Sequence, residues 1–190
     1  DLTAASTGLN EKQARAAGVA YDKVVTYSAS HASYYPGARN MTVKTLFDPA
    51  SGRILGAQIV GFDGVDKRMD VLAAAIRAGL TAEQLTELDL AYAPPYGSAK
   101  DPVNMAGYVI ENVRAGLVEQ HHWDAVAELP ADGSVILLDV RTPGEVRKQG
   151  LLRSDALHIP LDELRQRLGE LDPAKKIYVN CFSGLRSYLA

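Results

Sequence analysis

Residues 41–61, MTVKTLFDPASGRILGAQIVG, leave this chain little choice of local fold. Two runs rich in β-branched and apolar residues, MTVKTLFD and RILGAQIVG, flank the four residues PASG. Alternation of this kind predicts strands. PASG is a turn sequence, with proline to preset the backbone and glycine to relax it. The two runs therefore predict an antiparallel hairpin. KVVTYSAS, residues 23–30, repeats the pattern and predicts a further strand.

Helical spacing follows. Residues 65–79, VDKRMDVLAAAIRAG, place Met69, Leu72, Ala73, Ile76 and Leu80 three and four apart, with Gly79 as the stop. Thr81 caps the next short helix, with Glu83 and Gln84 near the place a capping box requires. A Pro-Pro loop, AYAPPYGSAKDP, leads to another helix over 103–116. Near Leu117 the pattern turns polar, and the stretch after it alternates. VILLDV, PGEVRKQG, ALHI, LDELRQRLGEL and KIYVN read as strand, helix, short strand, helix and strand. That order predicts a parallel α/β sheet. Two domains are expected, 1–117 as α+β with an antiparallel sheet and 118–190 as α/β.

Charge removes some functions. Twenty Lys and Arg stand against 23 Asp and Glu, so no basic field exists to hold a nucleic-acid backbone. No apolar run approaches the ~20 residues that cross a bilayer. The first residues lack the charged and apolar segments of a signal peptide, so no membrane partner and a cytoplasmic location are expected. One cysteine excludes an internal disulfide and a multi-cysteine metal site. A buried spectator, a reactive thiol and an intermolecular partner remain for it. His121 and His122 lack the rest of a metal site and are expected in solvent.

The cysteine sits in VNCFSGLRSYLA, residues 179–190. A strand runs straight into Cys181, followed by a glycine-containing loop and the start of a helix. Backbone N–H groups of Phe182, Ser183, Gly184, Leu185, Arg186 and Ser187, the helix dipole and the Arg186 charge would favour a thiolate. The spacing C-x-x-G-x-R-S, with LLDVRTPGEV at 137–146 and LHIPLDEL at 157–164, resembles the rhodanese family. The resemblance implies a sulfurtransferase fold in which Cys181 is the catalytic residue that accepts sulfane sulfur as a persulfide. It places Arg186 at the mouth of the loop and Phe182, Ser183, Gly184, Leu185 and Ser187 around the substrate. It also implies structural roles for Asp139 at a strand end and for Arg141, expected to pair with Glu145 at helical spacing. GLLRSDALHIPL departs from the commonest family wording, and His158 is expected to be packed or at the surface rather than catalytic.

Tyrosines crowd two loops of the first part, at Tyr34, Tyr35, Tyr92 and Tyr96. Residues 9–117 resemble the dimerisation domain of FAD-dependent pyridine nucleotide-disulfide oxidoreductases. AYAPPYGSAKDPVNMAGYV resembles the coenzyme A-disulfide reductase branch in particular, some members of which carry a fused rhodanese domain. The resemblance implies a homodimer through residues 1–117, with tyrosine hydroxyls assisting thiolate chemistry at the flavin site of the other subunit. That role falls on Tyr34 and Tyr92, with Tyr35 and Tyr96 expected to pack. A phenol beside a departing thiolate can donate a proton.

The G-x-G-x-x-G fingerprint of a dinucleotide site is absent. The resemblance implies FAD, NAD(P)H and coenzyme A in a full-length parent, and none is expected to be bound by this chain alone. The chain is expected to be a fragment with an incomplete rhodanese part. Alternatives are a polysulfide reductase or NADH oxidase parent, or a non-catalytic dimerisation module.

Overall fold

The computed structural model describes residues 1–190, which divide into two compact units, Asp1–Val118 and Glu119–Ala190. In the first unit, β1 (Thr3–Gly8), β2 (Asp22–Ala29), β3 (Asn40–Phe47) and β4 (Ile54–Gly61) form one antiparallel sheet in the order β1-β4-β3-β2. The expected hairpin is β3–β4. Its turn is closed by Asp48, whose carboxylate accepts the N–H groups of Ala50 and Ser51 at 2.8 and 3.0 Å. Those bonds hold the Asp48 carboxyl below its ordinary range.

One strand and one helix were not legible in the sequence. β1 is TAASTG, small and polar, and lies half exposed at the sheet edge, so no apolar alternation marks it. α1 (Glu11–Ala16) is six residues long, begun by an Asn10–Gln13 capping box. Glu11 on it receives Lys23 from β2 at 2.8 Å and Lys44 from β3. Partial burial pushes the Glu11 carboxyl up, but the hydrogen bonds from the two lysines outweigh it and bring it to about 2.

Helices cover one face of the sheet. α2 (Val65–Ala78) ends at Gly79, whose left-handed backbone returns its N–H to Ala75 and Ile76. Val65, Met69, Leu72 and Ala75 point into the core against Val43, Ile54 and Ile59 of the sheet. Arg68 is buried on the same helix, which apolar periodicity did not reveal. α3 (Ala82–Thr86) has the Thr81–Gln84 capping box, and α4 (Pro102–Arg114) starts from Asp101 with Pro102 in its first turn. Gly107 lets α4 approach α3, since a Cβ there would lie 2.7 Å from the Ala82 carbonyl oxygen.

The second unit holds a parallel sheet of β5 (Val135–Asp139), β6 (Leu157–His158) and β7 (Lys176–Asn180), in the order β6-β5-β7. α5 (Pro143–Gln149) and α6 (Leu161–Arg167) alternate with the strands, and α7 (Leu185–Leu189) follows the cysteine loop. Leu138, Val140, Ile159 and Leu164 make a small core, against which Cys181 packs. A 3-10 turn over Trp123–Glu128 lies ahead of β5, in a stretch that carried no periodic signal. No helix of either unit is long and apolar enough to cross a membrane.

Candidate functional site

Two constellations carry chemistry, one in each unit. In the second, β7 delivers Cys181 to the carboxyl edge of the sheet, where the sulfur is half-buried. Gly184, with φ of 98°, turns the loop so that its N–H donates to Cys181 Sγ at 3.0 Å. A side chain there would strain this conformation. Ser187 Oγ lies 3.6 Å from the sulfur and donates to the Gly184 carbonyl at 2.8 Å. Burial pushes the Cys181 thiol up. The Ser187 hydroxyl, whose one proton can turn from the Gly184 carbonyl to Sγ, and the N–H groups of Ser187, Ser183 and Gly184 outweigh that and lower it below its ordinary value. Phe182 and Leu185 are exposed on either side of the turn.

Arg186 lies beside the sulfur and is engaged by a carboxylate as well. Its guanidinium makes a two-pronged bond to Glu145 at 2.6 and 2.7 Å, which raises its own pKa. Glu145 is held well below the carboxylate range, first by Arg186 and then by Thr142. The expected Arg141–Glu145 pair does not form. Arg141 instead turns back on Asp139, with Nη2 at 2.6 Å and Nε at 3.0 Å, and donates to the Gly150 carbonyl and Gln149. Asp139 is fully buried, so the nearest guanidinium is drawn to it, while Glu145 caps its own helix and faces the cysteine loop. His158 Nε2–H donates to the Arg141 carbonyl at 2.8 Å and is thereby packed at the strand end. His121 is exposed but stacks edge-on against Tyr178, a contact beyond simple solvation.

In the first unit, Tyr34 lies between β2 and β3, and Tyr92 lies between α3 and α4. Their hydroxyls meet at 3.1 Å across 58 residues of sequence. The Tyr92 phenol is raised, first by this hydrogen bond. The bond can run in either direction, and the hydroxyl that accepts keeps its own proton for a third group. Tyr34 is 76% exposed and as the acceptor can present it. Tyr96, expected to pack, is 73% exposed in the single chain. Tyr35 is half exposed, with its ring edge against His31.

The chain belongs to the family of pyridine nucleotide-disulphide oxidoreductases, whose dimerisation domain matches residues 1–102. It is 45% identical over 108 residues to the coenzyme A disulfide reductase of Staphylococcus haemolyticus, covering 57% of this chain and 24% of that protein. The reduced Bacillus anthracis CoADR-RHD superposes with a TM-score of 0.93 at 48% identity, over 99% of this chain and 33% of the other. A NAD-dependent persulfide reductase from A. fulgidus superposes with a TM-score of 0.85 at 42% identity, over 100% of this chain and 33% of the other. The second unit is accordingly a rhodanese-like α/β domain. The chain spans about a quarter of the length of the curated relatives it matches.

Proposed function

We propose that this chain serves a flavin-dependent reductase of disulfides and persulfides, of the coenzyme A-disulfide reductase type, and that its second unit transfers sulfane sulfur through Cys181. The observation that carries the reading is the short bond from the Gly184 N–H to Cys181 Sγ in a cradle that lowers the thiol. A thiolate of this kind attacks the outer sulfur of a low-molecular-weight persulfide, R–S–SH. The new Sγ–S bond forms as the old S–S bond breaks, and R–S⁻ leaves and takes up a proton. An acceptor thiolate then attacks the outer sulfur of the Cys181 persulfide and returns the Cys181 thiolate. No net oxidation occurs in either step.

Phe182, Ser183, Leu185 and Ser187 surround the incoming group, and Gly184 leaves room for it. Arg186, neutralised by Glu145, orders the loop and forms its wall. Coenzyme A is the thiol carrier that the likeness to coenzyme A disulfide reductase supports. FAD and NAD(P)H supply reducing equivalents in the longer reductase and are assigned to parts of it other than these residues. There Tyr34 protonates the thiolate released as the disulfide is cleaved, Tyr92 passes its own proton to Tyr34 along the hydrogen bond, and solvent reprotonates Tyr92. The site is completed across a homodimer formed through residues 1–117, so that the tyrosines of one subunit serve the other.

The test is the alkylation rate of Cys181 against pH, before and after coenzyme A persulfide is added. An inflection well below the ~8.5 of a free thiol, with protection after loading, is the expected result. A free-thiol inflection without protection refutes sulfur transfer. Assays of the intact reductase with coenzyme A disulfide, persulfide, polysulfide and oxygen rank its substrates, and a monomer in sedimentation at micromolar concentration refutes the homodimer.

A further inference from the structure

The Tyr34 and Tyr92 hydroxyls meet although each rides on a loop without regular structure of its own. Something must fix both loops to one frame. The loop of Tyr34 leaves β2 at Ser30, and the loop of Tyr92 ends at Asp101, the cap of α4. Arg68, on α2, reaches both. Its Nη2 donates to the Ser30 carbonyl at 2.8 Å and to Asp101 Oδ2 at 2.8 Å, and its Nε donates to the same carboxylate at 3.1 Å. Its Nη1 donates to the Gly64 carbonyl at 3.3 Å, which anchors the fork to the start of its own helix. The guanidinium is 2% exposed, so these bonds do not compete with water.

The loops are also laced directly at this level. The Ala32 N–H donates to the Gly97 carbonyl at 2.9 Å, two residues before Tyr34 and five after Tyr92. A Cβ on Gly97 would lie 3.8 Å from Arg68 Nη2, so the lacing sits against the fork. A rigid planar fork with five donors can span three acceptors at fixed angles, which an ammonium cannot do. We propose that Arg68 is the positioning residue that sets the spacing of the Tyr34 and Tyr92 hydroxyls, by bonding simultaneously to the ends of the two loops that carry them. The catalytic use of the pair rests on the function proposed above, but the spacing does not.

The test follows each phenol by NMR in the 190-residue chain labelled with 13C at tyrosine Cζ, assigned with Tyr34→Phe and Tyr92→Phe. In the unaltered background, Tyr34→Phe lowers the Tyr92 titration midpoint. The double variant Arg68→Met/Asp101→Asn leaves no orphaned charge, and the asparagine still caps α4. In that background a cooperative melt is expected, and Tyr34→Phe no longer moves Tyr92. Arg68→Lys keeps the charge but not the fork, and an intermediate coupling is expected. An undiminished effect of Tyr34→Phe in either folded variant overturns the proposal.

Hydrogen exchange in the unaltered protein is independent of whether the variants fold. The Ala32 amide is expected to exchange as slowly as amides of α2 around Arg68, and exchange at the rate of a free loop overturns the proposal. If the coupling behaves as expected while Tyr34→Phe and Tyr92→Phe leave turnover by the intact reductase unchanged, the catalytic reading of the tyrosines fails and the positioning stands.

Discussion

Two arginine–carboxylate pairs, one taken from each unit, differ in approach and in setting, Arg68 meeting Asp101 side-on through Nε and Nη2 and Arg186 meeting Glu145 end-on through Nη1 and Nη2. Arg68–Asp101 is almost wholly enclosed, with side chains 2% and 4% exposed, whereas Arg186–Glu145 is 28% and 29% exposed. Enclosure makes the first pair costly to break, because either partner alone would be a charge without water. The second pair can open at small cost, since solvent screens it. The first suits a frame that holds two tyrosines at a set distance. The second suits a loop that must admit a substrate beside Cys181.

The sharpest separation of the units comes from Cys181→Ser. It is expected to abolish sulfur loading altogether, read as the gain of one sulfur in the mass of the protein after persulfide treatment. The Tyr92 titration in the first unit should not move. Loading that persists would place the transfer chemistry elsewhere.

Next in size is Arg68→Met alone, which leaves Asp101 charged and enclosed and is expected to cost about 3–5 kcal/mol in denaturant melting. Arg186→Met should leave the melting of the second unit nearly unchanged while altering the alkylation of Cys181. Equal losses from the two substitutions would erase the contrast between the pairs.

A smaller effect is expected at Glu11. Its folded value of about 2 lies below the ordinary 4.5, so its contribution is complete above that ordinary value and is lost as pH falls toward 2. Glu11→Gln should remove about 1–3 kcal/mol at neutral pH and flatten this acid limb. Melts of the two proteins between these pH values check it, and parallel curves would show that Glu11 is not the group responsible.

The smallest effect belongs to Glu145→Gln. Freed of its carboxylate, Arg186 leaves a net positive charge near the thiolate, and the alkylation inflection of Cys181 should fall by about 0.5 pH unit or less. A rise instead would mean that the pair orders the cradle more than it screens the charge.

The legible parts of the fold were those written in local spacing. The β3–β4 hairpin, α2 with its Gly79 stop and the Thr81 cap of α3 each depend on residues a few positions apart, and the structure has them where that spacing puts them. The strand–helix alternation after Ser134 likewise predicted the parallel sheet of β5, β6 and β7. β1 escaped because an edge strand of small polar residues buries too little to leave an apolar pattern. Arg68 escaped because a lone arginine on a helix normally reads as solvent-facing. A clue was available in its place on the buried stripe, one residue before Met69 and four before Leu72.

The cysteine loop was visible as a motif, but the partner of its arginine was not. Glu145 lies 41 residues before Arg186, and its helical spacing from Arg141 suggested the wrong pair. The choice depended on Asp139, whose burial at the end of β5 claims Arg141 first.

By itself, then, the sequence determined most of the elements, their order and the chemical types of the reactive groups, because turns, caps and apolar periodicity act over one to four residues. Tertiary structure alone decided which charges pair and which phenols touch. Arg68 meets Asp101 across 33 residues and Tyr34 meets Tyr92 across 58. Such meetings depend on how helices and loops are seated over the sheet, and on the cost of burying a charge without its counterpart, neither of which is written in local spacing.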